Sequence, residues 1–417
     1  MKTVGIIAEY NPFHNGHRYQ IEKVRKETGA DYIVIAMSGD FLQRGTPAIL
    51  DKHTRAKMAL CAGADLVLEL PVAYATGSAE YFAAGGISLL GATAVTDTVC
   101  YGVESHSPAL LAELAAVLAH PSQKFEAYLA SLIKKGRTYP QARQEALLAE
   151  LPQYPKTGLS ALLSTPNNLL SLEYEKAIIN WNEKGLPPLQ GLGILRVGDG
   201  YHESEIHSSC ASATAIRRLL ESTQGEISSV SGELAPLLPA HSLSLLTEAA
   251  ESRLLLNADD FSGALYARLL SERTCGFTKY ADCTEALSHR LCSHLQEFVS
   301  FSQFASLLKT REVTRTRINR VLTHILLGIQ KEDCMQPVSY LRVLGFNRRA
   351  EPLLSEISKK ASAPLLTKVA DACHILSVHA MDALQKDIDA ADLYRGIARI
   401  KSGKILGNEY NTPIIIP

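Results

Sequence analysis

A doubly wound parallel α/β sheet followed by a mostly helical region is the fold class that this 417-residue sequence predicts. Three observations lead there. Short apolar runs recur roughly every thirty residues through the first hundred, helix-like stretches fill the gaps, and the alternation fades after about Gly225.

Val4–Ala8 reads as the first strand, followed by a helix from about Tyr19 to Glu27. Tyr32–Ala36 is the second strand and runs into Met37-Ser38-Gly39-Asp40. A helix from about Lys52 to Gly63 leads to a strand within Asp65–Leu70, and a helix over Ala79–Leu90 leads to a strand at Thr98–Gly102. From Ser107 to Glu183 the pattern is helical, broken at Thr165-Pro166-Asn167-Asn168 ahead of a helix over Leu169–Asn182. Leu192–Val197 is a last β-like run, and Ser212-Ala213-Thr214-Ala215-Ile216-Arg217 opens another helix. Leu243 to Leu327 is mostly helical, and the tail from Tyr340 is mixed. This organisation divides the chain into residues 1–222, with a helical insertion at about 107–190, and residues 223–417. Ligands of such sheets sit at the carboxyl ends of the strands, so Tyr10–His17, Ser38–Arg44, Pro71 and Gly102 are expected to line one crevice.

Composition narrows the class. Apolar content of 46% and charged content of 20% are ordinary for a globular protein with sizeable cores. No apolar run has membrane-spanning length, and no basic region with an apolar signal core opens the chain. Eight scattered cysteines without a CxxC read as reduced thiols, and a cytoplasmic protein is expected. The balance of 42 basic to 43 acidic side chains exerts no global pull on nucleic acid, so any such binding needs a local patch.

The chemistry concentrates in Tyr10-Asn11-Pro12-Phe13-His14-Asn15-Gly16-His17. A His-x-Gly-His pair between a strand and a helix suits ATP chemistry at the α-phosphate. The helix N-terminus offers free amides and a positive dipole end, and Gly16 allows close backbone approach. His14 and His17 can then donate hydrogen bonds as negative charge builds. The alternative is two surface histidines in a turn. Met37–Gly45 follows the second strand, so Asp40 or Gln43 can hold a small substrate and Arg44 a phosphate or carboxylate. Lys52, Arg55 and Lys57 offer a cationic helix face for triphosphate, or a solvated one. Asn168 and Arg196 stand at element boundaries, where polar side chains also serve as caps. At Ser212–Arg217, hydroxyls at a helix start and an arginine one turn on suit a leaving pyrophosphate; a plain N-cap is the competing reading.

Lys309, Arg311, Arg315, Arg317 and Arg320 place five cations in twelve residues ahead of apolar Val321–Ile329. That describes a helix with one buried and one basic face, suited to phosphate-backbone contact or simply to water. Arg342, Arg348, Arg349, Lys359 and Lys360 can extend it. Cys275, Cys283, Cys292, His289 and His294 lack the paired short ligand loops of a structural zinc site, so no metal is expected there.

The HxGH run and the later Ser/Thr-x-x-Arg helix start resemble the nucleotidyltransferase superfamily. The longer segments EYNPFHNGH, MSGDFLQRG, DLVLELP, Pro166-Asn167-Asn168, Ala211–Arg217, Thr314–Leu327 and YLRVLGFN (Tyr340–Asn347) resemble the bacterial tRNA(Met) cytidine acetate ligase family across nearly the whole chain. The resemblance implies a Rossmann-like sheet and a two-step reaction. Acetate and ATP form acetyl-adenylate, and the acetyl group passes to the exocyclic amine of the wobble cytidine of elongator tRNA(Met), giving N4-acetylcytidine. It implies catalytic roles for His14, His17, Asp40 and Arg217. The implied ATP site comprises Ile7, Ala8, Glu9, Tyr10, Asn11, Pro12, Phe13, His14, Asn15, Gly16, His17, Arg18, Tyr19 and Gln20, with Gly102, Asn168, Arg196, Ser212 and Thr214. The basic face at 309–320 would hold tRNA, and Mg²⁺ would arrive with the nucleotide; no protein partner is implied. The superfamily's usual Ser-Ser-Thr turn reads Ser212-Ala213-Thr214 here, and no KMSKS-like loop accompanies it. Two other readings stay open: a nicotinate- or pantetheine-type adenylyltransferase, and an RNA-binding protein without catalysis.

Overall fold

The computed structural model describes residues 1–104, 107–196, 212–222 and 227–417. The strands within them are β1 (Thr3–Ala8), β2 (Tyr32–Ser38), β3 (Phe41–Leu42), β4 (Thr46–Pro47), β5 (Leu66–Leu70), β6 (Thr98–Val103), β7 (Gln190–Leu195), β8 (Leu341–Phe346) and β9 (Leu365–Leu366). Strands β3 and β4 form a hairpin, and the other seven form one sheet in the order β7-β6-β1-β2-β5-β8-β9. Every neighbouring pair in it is parallel except β5 with β8.

The apolar runs are continuous because both faces of the sheet are covered. Val4, Ile6, Ile33, Ile35 and Met37 pack with the helices Asn15–Thr28, Lys52–Cys61 and Ala240–Glu251. Val34, Ala36, Leu66, Leu68 and Leu70 face the other way, against Ala79–Ala92 and Pro166–Asn182. A third apolar cluster lies within Leu265–Ile325, away from the sheet. The 25-residue helix Val378–Ser402 contributes Ala390, Tyr394 and Ala398 to a further cluster with Phe41 and Phe261, behind the hairpin.

Two expectations are corrected here. The first helix begins at Asn15 rather than Tyr19, because His14 and His17 cap it with their own rings, and histidine is not among the usual N-cap residues. The division at 222 does not bound the sheet, since the mixed tail from Tyr340 lays β8 beside β5 and brings β9 with it. Leu341-Arg342-Val343-Leu344-Gly345-Phe346 is buried throughout, in the interior of the sheet between β5 and β9. Val197 and Ala211, assigned to the last strand and the next helix start, lie outside the described residues.

Candidate active site

The carboxyl end of β1 delivers Glu9 to His14 into the top of the sheet. Tyr10 turns with φ 51°, and its ring packs edge-on to Phe13 and His17, with both centroids at 4.8 Å. Burial against these rings offsets the cost of a left-handed tyrosine, about 1–3 kcal/mol. His14 then caps the helix Asn15–Thr28. Its Nδ1 accepts the Gly16 N–H at 3.1 Å, while its own N–H donates to Nδ1 of His17 at 3.3 Å. A Cβ on Gly16 would stand 2.9 Å from His14 Cε1, so this ring position requires glycine.

The reciprocal cap decides the chemistry of both imidazoles. Each Nδ1 is an acceptor, so each ring proton resides on Nε2, which is left to donate. The rings stack with centroids 3.7 Å apart and planes 27° apart, a contact suited to neutral imidazoles. Burial, with the charges of Arg196 and Arg217, holds His14 down to about 3. Burial, His14 and Arg196 hold His17 well below its usual value. The pair therefore supplies two neutral N–H donors at physiological pH.

The two arginines are themselves positioned. Arg217, in the helix Ala213–Ser222, donates from Nη1 to the Asn11 carbonyl at 2.6 Å and from Nη2 to Thr214 Oγ1 at 3.2 Å. Burial depresses its pKa, opposed by Glu9 and assisted by Arg44, which places the hairpin cation near this guanidinium. Arg196 follows β7, its stem 3.0 Å from where a Cβ on Gly102 would be. Burial lowers it as well, with Glu104 opposing. A helix N-terminus and the cations Arg196, Arg217 and Arg44 thus meet at one end of β1, an arrangement that suits a polyphosphate.

Other expected residues stand at the margins of this group. Asn168 accepts the Glu104 N–H at 2.9 Å, and Ser171 Oγ donates to the Gly102 carbonyl at 3.2 Å. Ser212 Oγ accepts the Ala215 N–H at 3.2 Å, so this hydroxyl is a helix cap. Glu9 accepts the Gln43 N–H at 2.8 Å, and Asn11 accepts that of Ile49 at 2.8 Å. Pro12 is joined to Asn11 by a cis peptide bond. Ile7 packs against the core and Ala8 completes β1. Asn15 Nδ2 donates to the Pro236 carbonyl at 2.8 Å. Gln20 hydrogen-bonds Cys100 on β6. Arg18 lies exposed, 3.7 Å from Glu22, and Tyr19 lies under the Lys23 ammonium.

Lys52 and Arg55, expected at triphosphate, and Arg342 and Arg349, expected to extend the basic face, are engaged by the fold instead. Arg55 is fully buried and donates to the carbonyls of Leu50 (2.9 Å), Glu9 (2.6 Å), Ser38 (3.1 Å) and Gly39. It ties together the loops after β1 and β2, a positioning role that sequence spacing does not reveal. Lys52 sits 2.7 Å from both Glu69 and Glu409, and Arg342 pairs with the same two carboxylates, so neither reaches a ligand. Arg349 pairs with Asp65 at 2.5 Å. Lys57, Arg348, Lys359 and Lys360 are exposed. Asp40, 4% exposed, accepts the Lys52 N–H at 2.7 Å and belongs to this buried network, not to the open crevice. Burial raises its pKa, with Lys52 opposing.

The hairpin connects the crevice to the basic helix Arg315–Leu327. Gly45, at φ +69°, approaches so closely that a Cβ would lie 2.2 Å from the Arg320 nitrogen. Thr323 Oγ1 donates to the Gly45 carbonyl at 2.9 Å. Of the five expected cations, Lys309, Arg311 and Arg315 are exposed. Arg317 donates to the Asp282 carbonyl at 3.2 and 3.0 Å, and Arg320 pairs with its carboxylate at 2.5 Å.

Comparison with known proteins agrees with this geometry. The family model described as HIGH Nucleotidyl Transferase matches residues 1–406. The tRNA(Met) cytidine acetate ligase of Acetivibrio thermocellus is 34% identical, with 100% of each chain covered. That of Caldicellulosiruptor saccharolyticus is 38% identical over 86% of each. The chain belongs to the tRNA(Met) cytidine acetate ligase family. Its fold also matches the crystal structure of Thermotoga maritima TmcAL bound with alpha-thio ATP, with a TM-score of 0.89, 28% identity and coverage of 100% of this chain and 99% of that one. The apo form of the same protein gives a TM-score of 0.91. Among the described residues, no helix is long and apolar enough to cross a membrane.

Proposed function

We propose that this ligase-family protein joins acetate to ATP as acetyl-adenylate and transfers the acetyl group to N4 of the wobble cytidine of elongator tRNA(Met). The observation that carries the reading is the reciprocal histidine cap, which aims two neutral Nε2–H donors beside Arg196 and Arg217. In the first step a carboxylate oxygen of acetate attacks the α-phosphorus, and the bond to the β-phosphate oxygen breaks. His14 and His17 donate to the α-phosphate oxygens as charge accumulates there. Arg217, Arg196 and Arg44 hold the departing pyrophosphate, and Mg²⁺ enters on the triphosphate as part of the substrate. No covalent bond to the enzyme is needed, so catalysis rests on positioning and charge stabilisation. In the second step the cytidine amine attacks the acetyl carbonyl, AMP leaves, and the amine loses a proton. The exposed Lys309, Arg311 and Arg315 contact the tRNA backbone.

The test is transfer of labelled acetate to unmodified elongator tRNA(Met) by the purified chain with ATP and Mg²⁺. Label entering the tRNA only with ATP present is the expected result. Absence of label, with pyrophosphate released upon adding a phosphorylated metabolite, would move the assignment to an ordinary adenylyltransferase.

A further inference from the structure

A cavity of about 870 Å³ opens in the helical unit, walled by the loop from Arg273 to Thr284, the start of the helix Glu285–His294, and Arg317 with Lys331. Its walls mix polar and apolar surface about equally, and the reaction described above does not use it. The cysteines and histidine that the sequence separates, Cys275, Cys283, Cys292 and His289, meet around it. Among the described residues, however, no three His, Cys, Asp or Glu side chains are grouped as a metal ion would need.

Three cations, Arg273, Arg317 and Lys331, line the space. Arg317 is already oriented: its Nε and Nη2 are spent on the Asp282 carbonyl, which leaves Nη1 as a fixed donor. Of the two acidic residues in the lining, Asp282 is neutralised by Arg320 at 2.5 Å, which leaves Glu285 facing three cations. Asp282 itself has φ 61°, so the loop holds a left-handed residue in order to present this pairing. The volume far exceeds a single phosphate and falls in the range of whole small ligands. Three cations, one of them a pre-oriented guanidinium, on walls that also offer apolar surface suit a phosphate together with its sugar and base.

Position identifies the source. Arg317 lies one turn from Arg320, whose backbone abuts the hairpin at Gly45, and the hairpin adjoins the crevice through the hydrogen bond from Gln43 to Glu9. The cavity and the crevice therefore flank the same end of one helix. We propose that the cavity receives a second nucleotide of the tRNA, splayed out of the single strand that carries the acetylated cytidine. This rests on the tRNA reading above and goes beyond it: the anticodon strand is held at two points, one reactive and one that sets register. Single-stranded loops, whose bases can be unstacked, are the RNA elements that such pockets take.

Two exposed thiols make the test direct, because Cys275 and Cys292 both line the cavity, while exposed Cys61 and Cys373 lie elsewhere. The full chain is treated with N-ethylmaleimide with and without saturating unmodified elongator tRNA(Met), and each cysteine is read by mass spectrometry. Binding should slow labelling of Cys275 and Cys292 by about tenfold or more and leave Cys61 and Cys373 unchanged; ATP alone should protect none of them. Thr278, exposed on the cavity lining, is replaced in a second arm by Thr278→Trp. That variant should weaken tRNA binding about tenfold while acetate-dependent ATP–pyrophosphate exchange stays at the wild-type rate. Equal labelling of Cys275 and Cys292 under tRNA saturation, or an unchanged affinity for Thr278→Trp, overturns the inference. Failure of the wild-type chain to shift tRNA in a gel would instead overturn the tRNA reading on which it stands.

Discussion

Glu409→Gln isolates the buried charge network beneath the crevice. Glu409 is 1% exposed and forms ion pairs with Lys52 and Arg395, each at 2.7 Å, with Arg342 hydrogen-bonded to it and His53 Nε2 at 3.7 Å. Burial opposes its ionisation, yet Lys52, the neighbouring His53, Arg342 and Arg395 together hold it far below the usual carboxylate range. The amide keeps the shape and removes the charge. Glu69 then faces both Lys52 and Arg342 alone, and breaking a buried pair in this way costs about 3–5 kcal/mol. An unfolding entropy of about 2.1 cal/mol/K per residue gives roughly 0.9 kcal/mol/K for the whole chain, so the midpoint should fall by about 3–6 °C if the chain melts cooperatively. The tail should loosen as well, because Glu409 precedes the segment in which Ile415 exchanges backbone hydrogen bonds with Leu344 and Phe346 at 2.9 Å. Thermal melting and hydrogen exchange at β8 read both effects. Glu27→Gln is the control, because its exposed pair with Lys23, at 3.7 Å, is screened by water and contributes little. A Glu409→Gln midpoint within 1 °C of the control, with β8 protection intact, would refute the reasoning.

His17→Ala should slow acetate-dependent pyrophosphate exchange by about 10²–10³ and leave tRNA affinity unchanged; exchange at the wild-type rate would remove His17 from the chemistry. Since both histidines are neutral when folded, the activity profile should show no histidine ionisation near 6.5, and a limb at that pH would contradict the capped tautomers. The same shifts make the unfolded chain bind more protons below pH 6.5, so this contribution to stability is present above that value and declines as pH falls toward 3, measurable by urea titration at several pH values. Arg315→Ala should weaken tRNA binding and reduce the slope of log affinity against log salt by about one; an unchanged slope would return that residue to a solvated role.

The strand–helix alternation was legible because its cause is local. A parallel strand covered on both faces needs a largely apolar run, and β1, β2, β5 and β6 each show one, broken in β5 only by Glu69. The HxGH motif was legible for the same reason, since strand, turn and helix are contiguous. What remained hidden depends on partners distant in the chain. Arg55 and Arg342 look like surface cations until the carbonyls of Glu9 and Ser38, or the carboxylates of Glu69 and Glu409, are brought to them. Asp40 looks like a crevice carboxylate until Lys52 claims it.

The sequence by itself determined the sheet's parallel core, the place of the histidine pair at its carboxyl edge, and the family. Tertiary structure alone decided which charges face the ligand and which hold the scaffold. Helix and strand periodicity record whether a position is buried, whereas a charge is buried only with groups that satisfy it, and here those partners lie as far away as Glu409 is from Lys52.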